Sequence, residues 1–282
     1  MKNKYKIIML FLGALILGSC SQYSKEEVPN NVKEPLNKTS IPTVFIHGYS
    51  GNKKTMKKMM DTFENQGKSE EEMLLFISET GELSVETEMT GTFNKNNPMI
   101  NLVFENSKSD QWHQAEWIKT ALTHLKETYQ VEEVNLVGFS MGGISSFLYL
   151  ETYSEEISQP KVKKLVAIGA PFNEFLELSG QSEASILQSG PKVLSEQLAN
   201  YTQMIAQVPK ETLFLLIGGQ VSEDNLSDGT VPLNSSLGIY SLLKEINLEV
   251  EYQIMRGNKA KHSRLKRNSE VIKTIGNFLW EK

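Results

Sequence analysis

Cysteine is nearly absent: Cys20 is the single one in 282 residues. One thiol can close no internal disulfide and build no cysteine-rich zinc site, so the fold must stand on packing. Histidine is scarce as well, with His47, His113, His124 and His262 the four present. An excess of basic charge is missing: 29 Lys and Arg stand against 34 Asp and Glu, a net charge of −5. That balance excludes the basic footprint expected of a nucleic-acid binder. Internal repeats are missing too. What is there, 39% hydrophobic and 22% charged residues, is the composition of an ordinary globular protein. The length allows one large α/β domain or two small ones.

The apolar run from Ile7 to Gly18 covers twelve residues, short of the roughly twenty that a bilayer-spanning helix needs. Lys2, Lys4 and Lys6 precede it, which gives residues 1–19 the form of an export signal. The run closes on Leu17-Gly18-Ser19-Cys20, which resembles the bacterial lipobox, where the cysteine is lipidated and becomes the first residue of the mature chain. An ordinary cleaved signal beside a chance cysteine is the alternative. Two acyl chains on Cys20 would give a stable anchor in the membrane on its outer side. Residues 20–40 are polar, hold Pro29 and Pro35 and show no apolar period, as a flexible tether would.

From Ile41 onward short apolar runs alternate with amphipathic stretches. Ile41 to His47, Met73 to Ile77, Ile100 to Phe104, Val134 to Val137, Leu165 to Ile168 and Leu213 to Ile217 read as buried strands. Residues 84–89 suggest an extra hairpin. Leu248, Val250, Tyr252 and Ile254 alternate with polar residues, as in a half-exposed strand. Ala115, Ile118, Leu122, Leu125 and Tyr129 repeat at helical spacing behind Asp110, a suitable N-cap. Helices are also expected over Met141 to Thr152 and Val271 to Trp280. Strands alternating with helices imply an α/β domain over residues 41–282 with a mostly parallel sheet covered on both faces. Residues 172–209 exceed the length of one crossover helix, so a small helical cap is expected there.

Gly138-Phe139-Ser140-Met141-Gly142 matches G-x-S-x-G between an expected strand and an expected helix, the context this motif requires. A serine on so sharp a turn is held in a strained conformation with Oγ exposed, and glycines two residues away on either side avoid collision. The helix N-terminus favours the negative charge that develops during attack. His47-Gly48-Tyr49 follows the first core strand. In this arrangement the backbone N–H groups of Tyr49 and Met141 would form an oxyanion hole. His47 itself is expected to shape the loop.

A serine nucleophile needs a base and an acid to orient it. Asp228, in Ser227-Asp228-Gly229-Thr230-Val231-Pro232, follows the Leu213 strand, and its direction is fixed by Gly229 and Pro232. Glu223 and Asp224 share that loop, and either could be the acid instead. His262 lies between the last strand and the last helix. The order Ser140, Asp228, His262 is the Ser…Asp…His order of α/β-hydrolases.

At these residues the chain resembles the α/β-hydrolase superfamily, and within it the exported cell-surface hydrolase family of Gram-positive bacteria, a group of unknown function. The carrying segments are Phe45-Ile46-His47-Gly48, Asn135 to Gly143, Gly169-Ala170-Pro171-Phe172-Asn173, Ser227-Asp228-Gly229 and His262-Ser263, and the resemblance spans roughly Ile41 to Trp280. It implies an α/β-hydrolase fold and a serine hydrolase of esterase or lipase type. Phe139 departs from the histidine that many relatives carry before the serine. That position is expected to face away from the reacting groups.

The expected chemistry is proton transfer from Ser140 to His262, attack on a carbonyl, and an acyl-enzyme, with Asp228 orienting the imidazole. It requires no metal and no organic cofactor. A small-molecule or lipid ester is the expected substrate; acyltransfer or amide cleavage would use the same groups. From another class, a solute-binding lipoprotein would call for two similar lobes, and a non-catalytic surface module would leave the ordered serine, acid and histidine unexplained. Arg256, Lys259, Lys261, Arg264, Lys266 and Arg267 crowd around His262. They are either a solvated face or an attraction for an anionic substrate. Loss of residues 1–19 removes three lysines and no acid, so the net charge moves from −5 to −8 and this basic stretch becomes a local exception.

Overall fold

A computed structural model describes residues 36–87, 91–176 and 180–281. The export signal, Cys20 and most of the expected tether lie outside the described residues. The last part of that tether, residues 36–40, belongs to the domain. Asn37 N–H donates to the Trp280 carbonyl at 2.7 Å, and Thr39 exchanges backbone and side-chain hydrogen bonds with Asn97. The apolar side chain of Leu36 packs against the core, which is why attachment begins before the first strand.

Eight strands form one sheet: β1 (Thr43–Ile46), β2 (Glu70–Ile77), β3 (Leu83–Val85), β4 (Pro98–Phe104), β5 (Glu133–Phe139), β6 (Lys161–Ile168), β7 (Leu213–Gln220) and β8 (Val250–Arg256). Their order is β3-β2-β4-β1-β5-β6-β7-β8. Every neighbouring pair is parallel except β2 and β3; β3 overlaps only the start of the stretch 84–89 expected as a hairpin, and residues 88 and 89 lie outside the described residues. Parallel strands are buried on both faces, so their sequences read as continuous apolar runs rather than alternations. Along β1, for instance, Val44 and Ile46 join one core cluster while Phe45 joins the other.

Helices cover both faces. On one side pack α1 (Lys57–Asn65) and the C-terminal helix Ser269–Trp280, where Phe63 and Trp280 meet edge to face at 4.9 Å. The other side carries α2 (Gln111–Tyr129) and α3 (Met141–Thr152). Asp110 caps α2 as expected, its carboxylate accepting from the amides of Trp112 and His113, an arrangement worth about 1 kcal/mol. Two short helices, Glu183–Ser189 and Glu196–Met204, occupy the region between β6 and β7 where a cap was expected. The helix α1 was not anticipated, although Met56, Met59, Met60 and Phe63 carry its apolar spacing and are all buried.

Because the central strands are parallel, the loops that follow β1, β4, β5, β6, β7 and β8 gather at one end of the sheet. Ser140, Asp228 and His262 all lie in such loops.

Candidate active site

Ser140 stands between β5 and α3 with φ 53° and ψ −120°, a left-handed conformation that costs a non-glycine residue about 1–3 kcal/mol. Its neighbours hold it there. The Ser140 amide donates to the Ile168 carbonyl at 2.8 Å, and its carbonyl accepts from the Gly143 amide at 2.9 Å. A Cβ on Gly138 would collide with the Gly142 carbonyl oxygen, and one on Gly142 would come within 2.5 Å of the His47 oxygen. The two glycines therefore let α3 start directly against β5 and β1. Although Ser140 occupies the N-cap position of α3, its side chain makes no capping bond, and the hydroxyl turns to another partner.

That partner is His262, whose Nε2 lies 3.1 Å from Ser140 Oγ. The other ring nitrogen, Nδ1, lies 2.6 Å from Asp228 Oδ2. A carboxylate can only accept, so Nδ1 carries a proton and donates it to Asp228; in the neutral ring Nε2 is then an acceptor for the serine hydroxyl. The Asp228 side chain is 1% exposed and that of His262 16%, so the carboxylate is sealed in while the imidazole still reaches solvent. Burying a carboxylate is costly unless it is fully hydrogen-bonded. Asp228 meets that requirement, with Oδ1 accepting from the Thr230 and Val231 amides at 2.9 and 2.7 Å. The backbones are joined as well: His262 N–H donates to the Asp228 carbonyl at 2.9 Å. Glu223 and Asp224, the other carboxylates of that loop, are exposed and make no bond to His262.

Two glycine and aromatic contacts around this pair escaped the sequence reading. Gly169, at the end of β6, has φ +55°, and a Cβ there would sit 3.1 Å from His262 Nδ1 and 3.2 Å from Asp228 Oδ2. Its missing side chain is the space that the pair occupies. Phe139 was expected to face away from the reacting groups. Instead its ring packs on the His262 imidazole with centroids 4.9 Å apart. The residue is 6% exposed, so an apolar ring is what that buried space takes. Lys266 Nζ lies 4.0 Å from the centroid of the same ring, and burial pulls its pKa below the usual lysine range.

The two expected oxyanion donors lie on adjoining segments. Gly48 is so near the elbow that a Cβ on it would stand 2.9 Å from the Cβ of Ser140. Among the described residues, neither the Tyr49 nor the Met141 amide donates to a protein acceptor. Met141 is held from the side by Gln114, whose amide nitrogen lies 3.1 Å from Sδ and whose oxygen accepts from Ser145. A buried glutamine on the apolar face of α2 was the available signal for this support. His47 is buried, with Nδ1 bonded to the Gly48 carbonyl and Nε2 accepting from Phe104 N–H. Burial lowers its pKa, and with both nitrogens engaged it shapes the loop. His113 pairs with Asp110, and His124 bonds Thr128, both on α2. No cluster of metal-ligating side chains occurs among the described residues, and no helix there is long and apolar enough to cross a membrane.

The family described as alpha/beta hydrolase of unknown function (DUF915) matches residues 30–282. A solved protein from Listeria innocua is 28% identical, with a TM-score of 0.77, covering 85% of this chain and 93% of its own. A Lactobacillus plantarum protein named as a candidate cell surface hydrolase is 19% identical, with a TM-score of 0.63 over 85% of this chain and 89% of its own. An esterase from Pyrococcus furiosus shares the fold at 16% identity, with a TM-score of 0.52 over 87% and 85%. No curated protein sequence matches the chain.

Proposed function

The chain belongs to the alpha/beta hydrolase family of unknown function DUF915, and from that premise we propose that it is a serine esterase working through Ser140, His262 and Asp228. The observation that carries the reading is the unbroken line of hydrogen bonds from Ser140 Oγ through the imidazole to Asp228. His262 Nε2 takes the hydroxyl proton as Oγ attacks the ester carbonyl. Negative charge on the carbonyl oxygen is met by the free amides of Tyr49 and Met141, each worth roughly 3–4 kcal/mol in such a site. Collapse of the tetrahedral species breaks the ester C–O bond, and the proton on Nε2 passes to the leaving oxygen. Water, deprotonated by His262, then attacks the acyl-serine and releases the acid. Asp228 holds Nδ1–H throughout and stabilises the imidazolium.

The proposed location follows from residues 1–20: an export signal and a lipid on Cys20 would hold the enzyme on the outer side of the membrane, tethered by the polar segment after it. Cys20→Ser is expected to release the protein into the medium, and retention in the membrane fraction without bound lipid would contradict the anchor. For the activity, the wild-type chain should hydrolyse p-nitrophenyl butyrate and Ser140→Ala should not. Equal hydrolysis by the two would overturn the reading.

A further inference from the structure

The end of the sheet that holds Ser140 carries exposed apolar side chains and, in the segment around His262, exposed cations. Seven large apolar side chains are exposed among the described residues. Five of them, Tyr49, Trp112, Phe175, Val193 and Leu194, sit in loops or helix starts at that end or in the cap beside it. The exceptions are Ile157, in the connection from α3 to β6, and Tyr252, on edge strand β8. Exposed apolar groups scattered singly need no explanation, but a gathering at a reactive end does.

Two of these groups adjoin the reacting centre and the other three are tied to one another. Tyr49 follows Gly48, which abuts Ser140. Trp112 opens α2 half a turn before Gln114, the residue that meets Met141 Sδ. Buried Asn173 joins the loop of Phe175 to that of Val193 and Leu194: its amide nitrogen donates to the Val193 carbonyl at 3.0 Å, and its oxygen accepts from Ser195 N–H at 2.7 Å.

Around His262 the exposed groups are cationic. Of the basic residues there, Arg256 pairs with Glu183 and Lys266 covers Phe139. Lys259, Lys261, Arg264 and Arg267 are exposed, and among the described residues none has a carboxylate partner. Glu223 and Asp224 are the nearest acids in sequence to Asp228, and they line a separate depression with Gln181 and Glu183. A charge cluster of one sign on a chain of net −5 is a local field, not an average.

The mechanism gives the apolar and the cationic groups different parts of an ester. His262 hands its proton to the leaving oxygen, so the leaving group must lie against His262, beside Lys261 and Arg264. The acyl group is left to the exposed apolar side chains of the same end, Tyr49 and Trp112 among them. We infer that the substrates are acyl esters of an anionic headgroup, taken from a lipid surface with the acyl chain against the apolar groups and the headgroup against the cationic ones. This rests on the serine esterase reading. The net step is hydrolysis: the acyl C–O bond breaks, water supplies hydroxyl to the acyl carbon and a proton to the headgroup oxygen.

The test compares vesicles of phosphatidylglycerol and of phosphatidylcholine with the same acyl chains, and a soluble anionic short-chain ester below its micellar concentration. The expected result is release of fatty acid about tenfold faster from the anionic vesicles, a preference worth ~1.4 kcal/mol, which fades as salt rises. Lys261→Gln with Arg264→Gln should bring the two vesicle rates together. Phe175→Ser with Leu194→Ser should lower both vesicle rates, with folding of each variant checked by circular dichroism. Equal wild-type rates on the two vesicles would overturn the headgroup assignment, and a soluble anionic ester turned over as fast as the vesicles would overturn the lipid surface. If the wild-type chain also fails to hydrolyse p-nitrophenyl butyrate, the esterase reading itself has failed, which separates the two.

Discussion

The Phe139 ring lies against the imidazole of His262, with centroids 4.9 Å apart and planes tilted by 35°. His262 is therefore fixed by three contacts: Asp228 on Nδ1, its own amide on the Asp228 carbonyl, and the Phe139 ring beside its face. A base that must meet a hydroxyl and then a leaving oxygen gains from such fixing, since misplacement of about 1 Å costs on the order of a hundredfold in rate. Phe139→Leu keeps an apolar side chain of similar bulk but removes the flat ring. We expect kcat on a short-chain ester to fall about tenfold or more while KM changes little, and Phe139→Tyr to restore most of it. Steady-state kinetics on the three proteins checks this.

Asp228→Asn keeps an oxygen for the Thr230 and Val231 amides but turns an N–H toward Nδ1. The ring must then carry its proton on Nε2, where it cannot accept from Ser140. The expected loss in kcat is on the order of 10⁴, with the folded state retained. Asp224→Asn, on an exposed loop residue without a bond to His262, should leave kcat within a factor of about two.

Gly169→Ala places a methyl group 3.1 Å from His262 Nδ1 and 3.2 Å from Asp228 Oδ2, on a residue with φ +55°. The strained backbone should cost roughly 1 kcal/mol of stability. The displaced pair should cost far more in rate, so ester hydrolysis is expected to drop by a factor well beyond what the change in denaturation midpoint would suggest. Urea unfolding and kinetics on one preparation compare the two losses.

Glu151, near the end of α3, is 1% exposed, and among the described residues neither carboxyl oxygen has a hydrogen-bond partner. Burial pushes its pKa up to about 9, from 4.5 for a free carboxyl. The native state therefore keeps a proton that the unfolded chain gives up between those values. Its contribution to stability is complete below pH 4.5 and is lost as pH rises toward 9. Glu151→Gln cannot ionise, so its Tm should fall less between pH 5 and pH 9 than that of the wild type. Thermal unfolding across that range reads the difference.

The core strands and the amphipathic helix α2 were legible because burial on both faces writes continuous apolar runs and Asp110 marks a helix start. The elbow was legible because its strain demands small residues at fixed positions around Ser140. Phe139 was misjudged for a physical reason: alternation along a strand tells which face a side chain takes, but not that a loop from the far end of the chain returns His262 to that face. Gly169 stood in plain view, yet its role depends on what fills the space beside it, and that comes from β7 and β8. Residues 36–40 read as polar tether because their attachment runs through backbone groups, the buried side chain of Asn97 and the one apolar side chain of Leu36, which leave no apolar period.

The central claim is that Ser140 is the nucleophile, and covalent capture tests it most directly. Intact-protein mass spectrometry after treatment with a fluorophosphonate should show one adduct on the wild-type chain, mapped by peptide analysis to Ser140, and none on Ser140→Ala. An adduct that persists in Ser140→Ala, or a folded wild-type chain that takes none, would contradict the account.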